Sequence, residues 1–315
     1  MVGVALKLNF FILLRLTGRA RAKHFRVAGH RRSQGRISMQ MEVDKSSKQR
    51  DNSKPRQTHI SPELANQAIN DAITYSGGDV VVMARTCASG FCDALQQCYG
   101  SEEISDVFIA CGSGLNGLIG LQVAVELQKR GYAPAVYAAE QSKHANFRSV
   151  CDEAGIDLHD FIPSTLEFYY DIVVDALLGT GFDGGDIRQQ YWTVYEMLIS
   201  TRLAIVSLDV PSGWDLSTGP RKIDVTADSF IKPEVLVSLE APKLGSNVFA
   251  GGYHFIAGRH LPQSYFWKRE SLFRLFPARS QTACSCQVTR FASKVLMERH
   301  MGDLDNSITM TCGTN

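Results

Sequence analysis

The chain has 315 residues, enough for one large domain or two small ones, and its composition is ordinary for a globular protein. The net charge of +1 hides an asymmetry, because residues 1–40 carry nine Lys and Arg and no Asp or Glu. The rest of the chain therefore holds 24 basic and 32 acidic residues, which argues against a nucleic-acid-binding domain. The eight cysteines have the spacing of neither a disulfide scaffold nor a zinc cluster.

Residues 1–58 are expected to precede the folded domain as a basic leader and a polar linker. The apolar run near the amino terminus is interrupted by Lys7 and Arg15 and is too short for a membrane span. A basic, acid-free, amphipathic leader is typical of a mitochondrial presequence. The alternative is an untranslated or disordered leader with Met39 or Met41 as the start, and hence a cytoplasmic protein. A secretory signal is disfavoured because no small-residue cleavage site clearly follows the apolar run.

Helices and strands alternate from residue 61 onward. Ser61, Pro62 and Glu63 predict a helix start, because they supply an N-cap, a proline in the first turn and an acid near the positive end of the helix. A second helix is predicted over 80–97 and a first strand over 106–111. Further strands are predicted over 134–139, 158–161, 171–178, 203–209, 235–239 and 253–258, and helices over 145–154 and 190–202.

The alternation of strands with helices of 10–15 residues predicts right-handed βαβ units. The fold class is therefore α/β with a mostly parallel central sheet. The predicted domain covers residues 59–280. Beyond about residue 279 the pattern is lost, which predicts an irregular tail over 281–315.

A glycine-rich loop follows the first strand. Gly112, Gly114 and Gly117 form G-x-G-x-x-G between a strand and a helix, where backbone N–H groups can hold a phosphate. Glu140 lies about where a dehydrogenase places its ribose-binding acid. The loop alone therefore favours an NAD-dependent dehydrogenase, with a ligand-free connector as the alternative.

Asp175 ends a fully apolar strand, where an unpaired carboxylate is costly and should meet a cation or hydrogen-bond donors. Asn116 and Ser212 could supply further oxygen ligands, and such a set suits a hard cation rather than zinc. The alternative is a helix cap or a satisfied structural aspartate.

Asp209 begins the sequence D-V-P-S-G-W-D just past another buried strand. A carboxylate held there by a turn with Pro211 and Gly213 is well placed as a general acid or base. The alternative role is to stabilise the loop by an Asx turn.

Four motifs in a fixed order carry a resemblance to one family. They are GSGLNGLIG (112–120), VVDALLGTG (173–181), LDVPSGWD (208–215) and SLEAPK (238–243). Over about residues 60–280 the chain resembles the YjeF N-terminal domain family, the NAD(P)H-hydrate epimerases. The resemblance implies a three-layer α/β/α Rossmann-like fold, a homodimer, and a potassium ion (K⁺) beside the ligand. It also implies a reaction, in which the R and S forms of hydrated NADH or NADPH interconvert so that a companion dehydratase can repair the S form.

The resemblance also assigns roles to individual residues. Asn116, Asp175 and Ser212 match the family's potassium ligands, and Asp209 matches its substrate-contacting acid, which we expect to be catalytic. The positions that match its substrate-binding loops are Leu115, Asn116, Gly117, Leu118 and Ile119, then Gly179, Thr180, Gly181, Phe182, Asp183, Gly184 and Gly185, together with Asp209 itself.

The first loop departs from the family pattern G-P-G-N-N-G-G-D-G. Leu115 replaces an Asn, Leu118 a Gly and Ile119 an Asp. Leu118 puts a branched side chain where the backbone should approach the ligand, and Ile119 removes a carboxylate. Each lost polar contact costs on the order of 1–3 kcal/mol, which is tenfold or more in affinity or rate.

Similar erosion occurs in a vertebrate branch of the family that is linked to cholesterol efflux through apolipoprotein A-I. From the four motifs, epimerase activity is the first functional prediction, with NAD(P)H hydrate as the substrate. A catalytically impaired binding protein, with apolipoprotein A-I as its partner, is the second. The dehydrogenase is the third.

Overall fold

The computed structural model describes residues 59–138, 151–159, 162–163, 165–182, 185–221, 230–269 and 289–290. Its strands are β1 (Asp106–Cys111), β2 (Ala133–Ala138), β3 (Asp157–His159), β4 (Ile172–Ala176), β5 (Ala204–Leu208), β6 (Trp214–Asp215), β7 (Gly219–Pro220), β8 (Val235–Leu239), β9 (Tyr253–Ala257) and β10 (Thr289–Arg290). Its α-helices are α1 (Pro62–Tyr75), α2 (Val80–Cys98), α3 (Leu115–Lys129), α4 (Gln189–Ser200) and α5 (Gln263–Arg269), with 3-10 turns at Leu166–Phe168 and Leu244–Val248. Residues 151–154 are also helical.

Eight of the strands form one sheet in the order β10-β9-β8-β5-β4-β1-β2-β3. Every neighbouring pair is parallel except β9 and β10. The predicted α/β class with a mostly parallel sheet is therefore confirmed.

Helices cover both faces of this sheet, because its strands are apolar on both sides. Val107, Ile109 and Cys111 of β1 pack in one hydrophobic cluster with α1, α2 and α3. Phe108 and Ala110 of the same strand point the other way and pack with α4. A strand that alternates between two buried clusters has no solvent face, as expected in the middle of a parallel sheet. The three-layer α/β/α architecture follows.

The strand order reverses between β1 and β4. The chain runs from β1 outward to β2 and β3, and then returns to place β4 on the other side of β1. Ligands of open α/β sheets bind beyond the carboxyl ends of the strands at such a reversal. The loops after β1 and β4 meet there so closely that a Cβ on Gly112 would overlap the carbonyl oxygen of Leu177.

The helix that begins at Ser61 was predicted correctly. The Ser61 hydroxyl accepts a hydrogen bond from the Leu64 N–H at 3.3 Å, and Pro62 is the first residue of α1. The elements that were not predicted include the β6–β7 hairpin and α5. The hairpin strands have two residues each and α5 has seven, so neither is long enough to show a hydrophobic period.

The predicted flanks of the domain lie almost entirely outside the described residues. Residues 1–58, 270–288 and 291–315 belong to this part, so the basic leader stays a prediction. Thr289–Arg290 is the described piece of the predicted irregular tail, and here the prediction is corrected, because these residues pair with Ile256 and Phe255 of β9. Within the described ranges, no helix is both long and apolar enough to span a membrane.

The β1–α3 turn gives a test of this close packing by two alanine substitutions. A Cβ on Gly117 would overlap backbone atoms of Gly112, whereas nothing lies within 4 Å of a Cβ on Gly114. We expect Gly117→Ala to lower the free energy of unfolding by about 1–3 kcal/mol, because backbone must move to make room. Gly114→Ala, at a negative φ, should change it by less than about 1 kcal/mol. Urea denaturation of both variants measures this, and equal losses would contradict the described turn.

Candidate functional site

Three neighbouring strands bring the predicted site residues together. Asn116 lies in the first turn of α3, Asp175 in β4, and Asp209 just past β5. The Asn116 Nδ2 donates a 2.9 Å hydrogen bond to the carbonyl of Leu208, which ties the first loop to the end of β5. Gly179 has φ +82°, and a Cβ there would overlap the Asn116 side chain, so the second loop also closes onto this point.

Asp175 is buried, with 1% of its surface exposed, and within the described ranges it accepts four hydrogen bonds, each from a neutral group. Its Oδ1 accepts from the Ser212 hydroxyl at 2.5 Å and the Leu177 N–H at 3.3 Å. Its Oδ2 accepts from the Ser207 hydroxyl and the Ser212 N–H, both at 2.9 Å. Burial raises the pKa of Asp175, and the hydrogen bonds from Ser212, Ser207 and Leu177 oppose that rise. A cation beside this carboxylate would compensate its charge.

Asn116, Asp175 and Ser212 could hold such a cation. They offer an amide oxygen, a carboxylate and a hydroxyl, a set that fits a hard ion such as potassium. Asp175 and Ser212 are already in contact, and Asn116 and Ser212 are buried like Asp175. No cluster of three or more His, Cys, Asp or Glu with metal-binding geometry occurs in the described ranges, so a transition-metal centre has no ligand set there.

Asp209 is equally buried, but it has a cationic partner. The Lys243 ammonium and the Leu239 N–H, the latter at 3.2 Å, donate to Oδ1. The Thr180 hydroxyl and its N–H, the latter at 3.2 Å, donate to Oδ2. Asp209 thus links the second loop to the segment after β8. Its φ of 69° is in the left-handed region, which aspartate tolerates better than most residues.

Lys243 is the site residue that the sequence reasoning missed. Its side chain is 1% exposed, and its Nζ also donates to the Leu239 carbonyl at 2.7 Å. A backbone bridge between Lys243 and Ile60 fixes the segment. Buried lysines are rare unless paired, so the lysine of SLEAPK could have been recognised as a partner for a site acid.

His254 is linked through Ser238 to the backbone of Asp209, but it is a poor proton donor at neutral pH. The Ser238 hydroxyl contacts His254 Nε2 at 2.9 Å and the Asp209 carbonyl at 3.4 Å. Burial, followed by the charges of His59 and Lys243, lowers the pKa of His254 to about 3. The imidazole is therefore neutral at pH 7.

The first loop differs from the prediction in where its apolar residues point. Ile119 is fully buried and Leu118 is 5% exposed, and both pack in the cluster that holds α2 and α3 against the sheet. The Ile119 side chain therefore has no surface left for a ligand, and the predicted place of Ile119 in the substrate-binding loop stays a prediction that only its backbone could fulfil. Leu115 is half-buried and Gly117 is buried at the start of α3.

The amino terminus of α3 can accept an anion. Gly114 is its N-cap and provides no side-chain hydrogen bond, so the first-turn N–H groups are left for another acceptor. Ser113 beside it contacts Tyr191 of α4 through both hydroxyl groups, at 2.5 Å. The Ser113 N–H also donates to the Tyr191 hydroxyl at 3.2 Å. These contacts fix the loop against α4.

The second loop is buried at its start and open further on. Gly179 and Thr180 are buried, Phe182 is half-buried, and Gly181 and Gly185 are exposed. Asp183 and Gly184 lie outside the described residues, as does Glu140. Their predicted ligand contacts, and with Glu140 the dehydrogenase hypothesis, stay predictions.

Comparison with known proteins identifies the family. The model of the YjeF-related protein N-terminus family matches residues 80–245, just over half of the chain. "YjeF N-terminal domain-containing 3" of Danio rerio is 32% identical over 204 residues, which are 63% of this chain and 80% of that protein. Human "YjeF N-terminal domain-containing protein 3" is 33% identical over 184 residues, which are 56% of this chain and 59% of that protein.

A solved structure shares the fold. The yeast protein ynu0 superposes with a TM-score of 0.62 at 24% sequence identity, over 75% of this chain and all of that one. The family model, the Danio rerio relative and the order of the site motifs agree. The chain belongs to the YjeF N-terminal domain family.

Proposed function

We propose that the chain is an NAD(P)H-hydrate epimerase, an activity found in this family. The observation that carries the proposal is the buried Asp209–Lys243 pair beyond the carboxyl ends of β5 and β8, in contact with Thr180 of the second loop. An acid–base pair kept from water beside a helix amino terminus suits a substrate that carries both a reactive ring and phosphates.

The reaction needs a proton at one carbon–oxygen bond. At C6 of the hydrated nicotinamide ring, the ring-nitrogen lone pair would expel the hydroxyl group, which takes up a proton and leaves as water. Water then returns to the opposite face of the resulting iminium, and the proton is released. Asp209 would exchange this proton, with Lys243 holding the carboxylate in place and balancing its charge.

The surrounding residues would position the substrate. Its phosphates would accept hydrogen bonds from the uncapped N–H groups at the start of α3. Thr180 and the exposed backbone of Gly181 would contact the remainder of the nucleotide. A potassium ion bound by Asn116, Asp175 and Ser212 would supply a fixed positive charge beside these groups.

A binding protein without efficient turnover is the second candidate. The observation in its favour is that Leu118 and Ile119 are built into the core, where the family pattern has Gly and Asp. The similar vertebrate proteins are named for the domain and not for an activity. Under this hypothesis apolipoprotein A-I is the expected partner. A homodimer is expected under both.

The Asp209–Lys243 pair can be tested by charge removal. We expect Asp209→Asn to reduce R-to-S conversion of hydrated NADPH to the spontaneous rate. It should also lower the free energy of unfolding by about 3–5 kcal/mol, because it leaves the buried Lys243 ammonium unpaired. Conversion is followed with an S-specific dehydratase as the coupling enzyme, and stability by urea denaturation.

A double variant separates catalysis from folding. Asp209→Asn combined with Lys243→Met removes both charges and should recover most of the lost stability, yet stay inactive. Asp157→Asn, on an exposed residue of β3 at the edge of the sheet, is the matched control and should keep the wild-type rate. Wild-type turnover by the double variant would remove Asp209 from the mechanism.

The first loop can be tested by restoring the family residues one at a time. If the apolar loop limits turnover, the half-buried Leu115→Asn should raise the rate by up to roughly tenfold, because it returns one polar contact. Ile119→Asp should instead lower the unfolding free energy by about 3 kcal/mol or more, because it buries a carboxylate in an apolar cluster. A stable, more active Ile119→Asp variant would contradict the described position of that side chain.

A further inference from the structure

Among the described residues, the Tyr195 hydroxyl is a buried polar group without a hydrogen-bond partner. Tyr195 lies in α4 with no exposed surface, and its hydroxyl makes no hydrogen bond to any residue that the structure describes. Its neighbour one turn earlier behaves differently, because the Tyr191 hydroxyl contacts Ser113. Buried hydroxyl groups nearly always have a hydrogen-bond partner, so one without a partner indicates a bound water or ion in contact with it.

The orphan hydroxyl lies against the turn that carries Ser212. A Cβ on Gly213 would come within 2.6 Å of the Tyr195 hydroxyl oxygen and 2.9 Å of the ring. Glycine is needed at position 213 for two reasons: its φ is +82°, and a side chain there would clash with Tyr195. Burial, followed by the negative charge of Asp175, raises the pKa of the Tyr195 hydroxyl.

The electrostatics of the site distinguish an ion from a water. Of the two buried aspartates, Asp209 is paired with Lys243, whereas Asp175 accepts hydrogen bonds only from neutral groups in the described part of the chain. A buried carboxylate without a counter-charge is costly. A water would pair with the Tyr195 hydroxyl but would leave the Asp175 charge uncompensated, whereas a cation would bind the hydroxyl oxygen and also compensate that charge.

We propose that Tyr195 is a positioning residue of the cation site, with its hydroxyl oxygen serving as a further ligand of a monovalent cation held by Asp175 and Ser212. The inference rests on the cation site of the proposed function and adds a residue from α4 to it. Binding of the ion then ties α4 to the turn after β5 and to the end of β4. The site is therefore coupled to the packing of a whole helix.

The test is the thermal unfolding of the full chain in chloride salts of potassium, sodium and tetramethylammonium at equal ionic strength. Wild-type protein should be stabilised saturably by potassium, and not by tetramethylammonium, which is too large for the site. Tyr195→Phe should raise the potassium concentration at half-maximal stabilisation by roughly three- to tenfold, the effect of losing one ligand. In tetramethylammonium alone the same variant should be as stable as wild type or more stable, because an unpaired buried hydroxyl has been removed.

Tyr191→Phe is the matched control. It removes a hydroxyl from the same helix, but one that has a partner, so it should lower the unfolding temperature equally in every salt and leave the potassium midpoint unchanged. A wild-type potassium response in Tyr195→Phe would overturn the inference. So would a loss in tetramethylammonium as large as that of Tyr191→Phe, since it would mean that a water already pairs the hydroxyl.

The potassium response and the epimerase activity can fail separately. If wild-type protein shows no specific response to potassium, the cation site and the role of Tyr195 both fail, whatever the conversion rate. If potassium stabilises the protein as expected but no R-to-S conversion occurs, the epimerase proposal fails and the role of Tyr195 stands.

Discussion

The buried ion pair between Asp209 and Lys243 is the interaction on which the rest of the site depends. Both residues are about 1% exposed. The desolvation cost of burying two charges is offset only when the pair has good geometry and its remaining donors and acceptors are hydrogen-bonded. That condition is met here. The Thr180 hydroxyl and the Leu239 N–H donate hydrogen bonds to the carboxylate, and the Leu239 carbonyl accepts one from the ammonium. The pair therefore fixes the second loop and the segment after β8 in one arrangement.

Backbone conformation at Asp209 follows from the same pair. A non-glycine residue with φ near +69° carries a cost of roughly 1–3 kcal/mol, which persists only where the surroundings enforce it. The Asp209 N–H donates to the Val237 carbonyl at 2.7 Å, so β8 holds the residue from one side and Lys243 from the other. Strain of this kind is common at functional sites, where it aims a side chain that regular structure would direct elsewhere. Here it turns the carboxylate toward Thr180.

Much of this arrangement could be predicted from the sequence, because the carboxyl ends of parallel strands share one edge of a sheet. That rule placed Asn116, Asp175 and Asp209 together, and the strand ends were correct to within one or two residues. Lys243 was missed although it ends the SLEAPK motif, because its contact with Asp209 joins residues 34 apart and the motif does not say which acid it pairs with. Ile119 lies one helical turn before Val123, so the helical period marks its side chain as part of the core, whereas its contact with a substrate rests on the family pattern and stays a prediction.

The most direct measurement is the rate of R-to-S conversion of hydrated NADPH by the full-length wild-type protein, coupled to an S-specific dehydratase, with potassium present. An acid–base pair in this position predicts conversion well above the spontaneous rate. A background rate from a protein that unfolds cooperatively would contradict the epimerase account and would make the chain a binding member of its family.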